Sequence, residues 1–362
     1  MESGKSAGAF PEKREREDNM HFRKRMARRY MRIMAAVVLF LFLLGGCGKQ
    51  FNIEEDEPDS AADEDLIVVG VSQLGSESVW RTANTASIQD TFTRENGYLL
   101  IFDNARQKQE NQIKAIRSFI SQQVDYIVFS PIAEDGWDVV LEEAREAEIP
   151  VIVMDREVSV DNKSLYVTRV GSDFNAEGEN AGLWLADHLE EQGRSDEEIN
   201  IVILQGTEGA TSTIGRTGGF AEIAAQHDNW NILEQTGADY TTTKAREEME
   251  RILSEHNDID VLVSQNDDMT FGALNALEDA GMTAGVDGEV IVISFDAVRS
   301  ALELVQSGEI NVDIECNPEQ GPYIEDVIRM LENGETIENN YYVPEKIFTQ
   351  ENVGQYINDR SY

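Results

Sequence analysis

The sequence is poor in the residues that build metal, disulfide and nucleophile sites. It has two cysteines, Cys47 and Cys316. We assign Cys47 to an N-terminal signal motif described below, which leaves Cys316 without a partner for a disulfide. No pair of its four histidines has metal-ligand spacing: His21, His188, His227 and His256. After residue 46, Gly-x-Ser-x-Gly, P-loop and Gly-x-Gly-x-x-Gly patterns are absent. An enzyme would have to work with carboxylates alone, so we expect a protein without catalysis, cofactor or metal.

Positive charge is also scarce. The chain has 69 acidic and 30 basic residues, a net charge of −39. Residues 1–46 hold ten of the basic and five of the acidic ones, so the remainder has 64 acidic and 20 basic residues, a net charge of −44. Such a surface repels the nucleic-acid backbone and anionic lipid headgroups. We therefore expect no nucleic-acid partner.

The N-terminus contains a short apolar stretch, residues 33–44, after a basic region. This stretch is well below the roughly 20 residues that span a bilayer, and it ends in Leu44-Gly45-Gly46-Cys47. Basic residues, an apolar run and small residues are typical of a secretion signal, and the cysteine resembles a bacterial lipobox. We predict a signal peptide at 1–46, lipidation of Cys47, and an extracytoplasmic protein anchored to the cell membrane. The alternative is a single transmembrane anchor helix.

Residues 47–65 are dominated by acidic side chains, including Glu54-Glu55-Asp56-Glu57. A segment this charged buries no core and predicts a solvated tether.

From residue 66 onward, short apolar runs alternate with amphipathic stretches. The predicted strands are 66–71, 98–102, 126–129, 151–154, 201–204, 230–233, 261–263 and 290–293. The predicted helices are 80–96, 109–122, 137–147, 213–226, 242–256, 268–280 and 297–306. Continuous apolar strands separated by helices indicate parallel sheets buried on both faces. The rhythm occurs twice, so we predict an α/β fold of two doubly wound parallel-sheet lobes, with ligands beyond the carboxyl ends of the strands.

Polar and aromatic side chains follow these strands, among them Trp80, Arg81, Asp155, Arg156 and Asn266. Sugar rings stack on aromatic faces, and carboxylate, amide and guanidinium groups bind adjacent hydroxyls. Several of these residues also have simpler interpretations. Asp173 and Asp267 are equally well helix N-caps. Trp137, Trp184 and Trp230 lie on periodic apolar faces and are expected in the core. Asn266-Asp267-Asp268 lacks the second acidic cluster that a divalent-metal site needs.

The chain resembles the galactofuranose-binding proteins of bacterial sugar ABC transporters, which belong to the ribose/galactose-type substrate-binding family. The resemblance covers roughly residues 66–340. It rests on Gly75-Ser76-Glu77-Ser78-Val79-Trp80-Arg81, Gln107-Lys108-Gln109-Glu110-Asn111-Gln112, Leu204-Gln205-Gly206-Thr207, Gly218-Gly219-Phe220-Ala221-Glu222 and Asn266-Asp267-Asp268-Met269. The chain departs from the family pattern at Gly215, at Cys316-Asn317, and at Ala297, where a glycine is usual.

The resemblance implies a type I periplasmic binding protein whose lobes are joined by three crossovers, near 171, 316 and 344. The N-terminal lobe would be 66–171 with 317–343, and the C-terminal lobe 172–316 with 344–362. Trp80 would stack on the sugar. The other ligand-binding residues would be Ser76, Glu77, Arg81, Asp103, Asp155 and Arg156 from the first lobe, and Arg216, Asn266 and Asp296 from the second.

The resemblance also implies a function: a monomer that closes on a monosaccharide, galactofuranose or a related furanose, pentose or hexose, and delivers it to an ABC permease. The alternative is a sensor lipoprotein that presents the same closed form to a histidine kinase or chemoreceptor. A repressor would need a helix-turn-helix before the core, where this chain has a signal and a tether. A glycosidase would need one carboxyl with a raised pKa, whereas Arg156 and Arg216 predict ionised acceptors at Asp155 and Asp296.

Overall fold

The computed structural model describes residues 66–362. The predicted signal peptide, Cys47 and the tether lie outside these residues. The strands of the described part, in chain order, are β1 (Ile67–Gln73), β2 (Tyr98–Asn104), β3 (Tyr126–Phe129), β4 (Val151–Met154), β5 (Thr168–Gly171), β6 (Ile199–Gln205), β7 (Trp230–Gly237), β8 (Val261–Ser264), β9 (Ile291–Asp296), β10 (Val312–Glu315), β11 (Asn340–Tyr342) and β12 (Ile347–Thr349).

The α-helices of the described part are α1 (Val79–Thr91), α2 (Gln109–Gln122), α3 (Asp138–Glu146), α4 (Phe174–Glu191), α5 (Thr211–Ala224), α6 (Thr242–Glu255), α7 (Asp267–Asp279), α8 (Arg299–Ser307) and α9 (Gly321–Glu332). Among residues 66–362, no helix is long and apolar enough to cross a membrane.

The strands form two six-stranded sheets. The first sheet has the order β11-β5-β4-β3-β1-β2 and the second has the order β12-β10-β9-β8-β6-β7. All pairs in the first sheet are parallel, whereas β10 and β12 in the second are antiparallel. The predicted pair of doubly wound parallel sheets is therefore confirmed, with one antiparallel strand, β12, at the edge of the second sheet.

The chain passes between the two sheets three times. The first connection follows β5, the second follows β10, and the third joins β11 to β12. These passages lie close to the expected crossovers at 171, 316 and 344. The exact lobe boundaries remain a prediction.

The core explains why the strands are continuously apolar. On β6, Ile201 and Ile203 pack into one apolar cluster, while Val202 and Leu204 pack into another on the opposite face. Side chains alternate between the two faces of a strand, so a strand buried on both faces needs an apolar residue at every position. A third cluster, which includes Phe129 and the fully buried Trp137, packs on the first sheet.

Some local expectations were right and others were not. Trp137 and Trp230 are buried core residues as predicted, and Trp184 packs partly buried against the core. Asp173 caps α4 by accepting from the Ala176 amide at 3.1 Å. Asp267 is not a cap, because Asn266 caps α7 instead by accepting from the Met269 amide at 2.9 Å.

Candidate functional site

A narrow cavity, with about 30 Å³ of space for the centres of water-sized molecules, lies beyond the carboxyl ends of both sheets. Eight of the ten residues predicted to bind ligand line it: Glu77, Trp80, Arg81, Asp155, Arg156, Arg216, Asn266 and Asp296. The prediction missed five other lining residues: Ser78, Phe174, Ser212, Tyr240 and Cys316.

The structure places Ser76 and Asp103 away from this cavity. Ser76 is exposed on the loop between β1 and α1. Asp103 lines a separate surface depression together with Arg106 and Lys114. The reason lies in strand order: β2, which carries Asp103, is the outermost strand of the first sheet.

Arg81 organises the wall of the cavity that belongs to the first sheet. The Ser78 hydroxyl caps α1 by accepting from the Arg81 amide at 3.1 Å, which fixes the start of the helix that carries this arginine. The Arg81 guanidinium donates to Asp155 Oδ2 at 2.6 Å and to Glu77 Oε1 at 3.0 Å. The Ser130 hydroxyl also donates to Asp155 Oδ2, at 3.1 Å. The arginine is thus held between two carboxylates, with its side chain 4% exposed.

Arg216 plays the same part in the wall that belongs to the second sheet. Its Nε donates to Glu177 Oε2 at 2.6 Å and its Nη2 to Asp296 Oδ1 at 3.3 Å. Its third nitrogen donates to the Gln265 carbonyl. The side chain is 2% exposed, so this guanidinium is almost completely desolvated.

Close packing of α4 against α5 brings Arg216 to Glu177. A side chain at Gly178 would collide with the Arg216 carbonyl, and one at Gly219 would collide with the Asn175 carbonyl. Gly215 faces the same interface, because a Cβ there would lie 2.6 Å from the Phe174 Cβ. The departure from the family pattern at Gly215 therefore accommodates Phe174, which lines the cavity.

The aromatic residues connect the two walls. The Trp80 indole N–H donates to the Cys316 carbonyl on the second connection, and the Arg81 guanidinium carbon lies 4.6 Å from the Trp80 ring centre. The Arg156 guanidinium lies 5.8 Å from the ring centre of Tyr240, on the other side of the cavity. Trp80 also packs in the core, so its core and cavity roles coexist.

The pKa values of the two aspartates shift in opposite directions. Burial alone would raise the pKa of Asp155, but Arg81 and Arg156 outweigh it and lower that pKa. Burial raises the pKa of Asp296 well above its ordinary value. Arg216 opposes this rise, and nearby acidic groups add to it. The Asp155 shift favours the ionised acceptor expected from the sequence, whereas the Asp296 shift favours, relative to an ordinary aspartate, the protonated form that can also donate.

A strained turn presents Asp296 to the cavity. Asp296 has φ 107° and Ala297 has φ 59°, the left-handed region that favours glycine. The Asp313 carboxylate accepts from the Ala297 amide at 3.1 Å, and Asp267 accepts from the Val298 amide at 2.8 Å. These two buried carboxyl groups hold the turn, which is how alanine is tolerated where the family pattern has glycine.

Each aspartate keeps one oxygen available to the cavity. The hydrogen bonds among residues 66–362 engage Oδ2 of Asp155 and Oδ1 of Asp296, leaving Oδ1 of the former and Oδ2 of the latter. Asn266 uses its side-chain oxygen to cap α7, which leaves its amide N–H groups. The cavity thus presents charged acceptors, neutral donors and aromatic faces together.

The sequence profile of the periplasmic binding protein domain family matches residues 68–332. The chain belongs to this family. Periplasmic binding proteins are ligand carriers, and the curated relatives of this chain are named as binding proteins, not enzymes.

Three relatives of this periplasmic binding protein show how close the likeness is. The galactofuranose-binding protein YtfQ of Escherichia coli is 38% identical over 272 residues, which cover 74% of this chain and 83% of that protein. A Mycobacterium smegmatis structure in complex with β-D-fucofuranose has 39% identity and a TM-score of 0.77, covering 82% of this chain and 95% of the other. The arabinose transporter component of Shewanella sp. ANA-3, bound to α- and β-L-arabinofuranose, has 37% identity and a TM-score of 0.75, covering 81% and 95%.

Proposed function

We propose that this periplasmic binding protein binds one monosaccharide in its furanose form, in the cavity between Arg81–Asp155 and Arg216–Asp296. The observation that carries the proposal is the pair of buried arginine–aspartate contacts, one at each sheet, each with a carboxylate oxygen left for a hydroxyl. Hydrogen bonds to charged groups stabilise by about 1.5–3 kcal/mol each, against about 1 for neutral pairs. A polyol with hydroxyls on both edges fits such a site.

The ring form is supported by the relatives. The names of the three relatives above refer to galactofuranose, β-D-fucofuranose and L-arabinofuranose, three sugars that share a five-membered ring. Trp80, Phe174 and Tyr240 would contact the carbon faces of the ring.

The transport role follows from the same proposal. Each sheet would form the centre of one lobe, 66–171 with 317–343 and 172–316 with 344–362, and the lobes would close on the sugar. An ABC permease would recognise the closed form, because the sugar stabilises that state relative to the open one. Lipidated Cys47 would hold the monomer at the cell membrane. A sensor that presents the same closed form to a kinase or chemoreceptor is the alternative.

A thermal-shift screen of residues 48–362 tests the proposal. The panel contains galactose, fucose, arabinose, ribose, fructose and glucose, and all of these except glucose have an appreciable furanose fraction in solution. A sugar at ~100 times its Kd stabilises the native state by about 2.7 kcal/mol, which raises the melting temperature measurably. We expect shifts from galactose, fucose or arabinose and none from glucose.

Two matched variants locate the site. Asp155→Asn, in the cavity wall, should remove about half or more of the sugar-induced shift at the same sugar concentration. Asp103→Asn changes a carboxylate of the same lobe that lies outside the cavity, and it should keep the full shift. No shift with any sugar, or an equal loss in both variants, would contradict the proposal.

A further inference from the structure

Three side chains that can ligate a metal meet where the chain passes between its sheets. Glu177 lies on α4 after the first connection, Cys316 on the second connection, and Glu345 on the third. One carboxylate oxygen of each glutamate and the Cys316 Sγ lie within 4.8 Å of one another. We call these three residues the connection cluster.

The hydrogen bonds of the connection cluster leave one buried carboxylate oxygen without a partner among the described residues. Glu345 Oε1 accepts from the Asn317 amide at 3.0 Å and from the Ser172 hydroxyl, which also contacts Cys316 Sγ at 3.2 Å. Glu177 Oε2 accepts from Arg216, but Glu177 Oε1 is buried and has no hydrogen-bond partner among residues 66–362. The Glu177 side chain is only 3% exposed. A buried carboxylate oxygen without a partner is destabilising, and a cation bound between the three side chains would offset that cost.

The donor set selects the class of ligand. One sulfur and two carboxylate oxygens suit zinc-like cations, which accept thiolate together with carboxylate and prefer four ligands. Magnesium and calcium prefer oxygen-only sites. We infer that the connection cluster is a binding site for a zinc-like divalent cation, with the Ser172 hydroxyl or a water as the fourth ligand. Binding would release the thiol proton to solvent.

This site goes beyond the proposed function and would act on it. Cys316 lines the cavity, and its carbonyl accepts the Trp80 indole N–H. A cation that ties all three connections would restrict movement of one sheet relative to the other. We therefore expect the cation to change the sugar affinity without occupying the sugar site. Arg216 is a competing cation, but it engages only one oxygen of Glu177.

Cadmium titration of residues 48–362 tests the inference, since this segment contains both sheets and Cys316 as its single cysteine. Bound Cd²⁺ gives an ultraviolet thiolate-to-metal charge-transfer band, which carboxylate binding elsewhere on the acidic surface does not give. We expect the band to saturate at one equivalent and to be absent in Cys316→Ser. Glu345→Gln should weaken binding by about tenfold or more, as losses around metal sites do.

The control is a second group of potential ligands, Glu234, Glu255 and His256, which is partly exposed. His256→Ala should leave the Cd²⁺ band and its midpoint unchanged. No band with excess Cd²⁺, or an unchanged midpoint in both Glu345→Gln and Glu177→Gln, would overturn the inference. The sugar-induced thermal shift, measured with metal removed, reports the proposed function separately, so failure of one does not imply failure of the other.

Discussion

Asp155 and Asp296 occupy equivalent positions in the two sheets. Asp155 follows β4 and Asp296 ends β9, each the third strand of its sheet, and both have positive φ angles, 63° and 107°. Each contacts an arginine on the helix after the fifth strand in sheet order: Arg81 after β1 and Arg216 after β6. The cavity therefore has two similar walls, one from each sheet, although the pKa values of the two aspartates shift in opposite directions.

This asymmetry predicts unequal effects of two matched substitutions. Asp155→Asn should weaken sugar binding by about tenfold or more, because an ionised acceptor worth about 1.5–3 kcal/mol is lost. Asp296→Asn should cost less than about threefold. The reason is that the asparagine side chain has a hydrogen-bond donor and an acceptor, as a protonated Asp296 carboxyl would have. Isothermal titration calorimetry at neutral pH measures both Kd values. Equal losses would show that both aspartates bind the sugar as carboxylates.

Two hydrogen bonds join the two walls through residues that do not line the cavity. The Val79 amide at the start of α1 donates to Asp268 Oδ2 at 3.1 Å, and the Glu157 amide donates to Thr211 Oγ1 at 3.1 Å. Asp268→Ala should speed sugar release by about tenfold with little change in the association rate, because one bond of the closed state is lost. Stopped-flow kinetics measures both rates.

The exposed Asp287 provides the control, since Asp287→Ala removes the same charge far from this contact. If Asp268→Ala slows association instead of speeding release, Asp268 acts on the encounter with the sugar and not on closure.

The buried Asp267–Asp313 pair predicts a pH dependence of stability. Burial raises the pKa of both, that of Asp313 to about 7. The folded state then holds a proton more tightly than the unfolded chain. This contribution is complete below about pH 4 and is lost as the pH rises through about 7. Between pH 5 and 8 the free energy of unfolding should fall by roughly 2–3 kcal/mol from this source.

Urea unfolding at both pH values checks this, with Asp313→Asn as the comparison. Asparagine keeps an acceptor for the Ala297 amide and leaves only Asp267, whose pKa burial still raises, so the loss of stability between pH 5 and 8 should become smaller. A variant that loses as much stability as the parent over this range would show that other groups cause the dependence.

The proposed lipid anchor is tested at Cys47, outside the described residues. Cys47→Ser should move the protein from the membrane fraction to the soluble fraction, because serine cannot carry the thioether-linked lipid. Cell fractionation and immunoblotting measure the distribution. Tight membrane association of Cys47→Ser would favour a helix anchor at residues 33–44.

Much of this fold was predictable because its strands have a strong signal. β3 and β4 and helix α2 lie where the apolar periodicity places them. The four residues of β5 include a threonine, an arginine and a glycine, and β11 and β12 have three residues each, so these strands carry too little apolar pattern to detect. The antiparallel pairing of β12 depends on the third connection, which local sequence does not encode.

The cavity residues at the ends of central strands were predictable. Whether a strand is central or at the edge depends on the strand order, which the sequence pattern did not predict. Asp155 and Asp296 follow central strands, so they reach the cavity, whereas Asp103 follows the edge strand β2 and does not. Phe174 was missed because its helix, α4, was not predicted. Tyr240 enters the site through a left-handed turn at Asp239 and Tyr240, with φ 52° and 59°, which carries no glycine to signal it.

The most direct test of the account is calorimetric titration of residues 48–362 with two anhydrogalactitols, one locked in a five-membered ring and one in a six-membered ring. Neither has an anomeric substituent that a small cavity would exclude. We predict one binding site per chain for the five-membered ring and binding weaker by about a hundredfold for the six-membered ring. Equal or tighter binding of the six-membered ring, or no heat from either, would contradict a furanose site between Arg81–Asp155 and Arg216–Asp296.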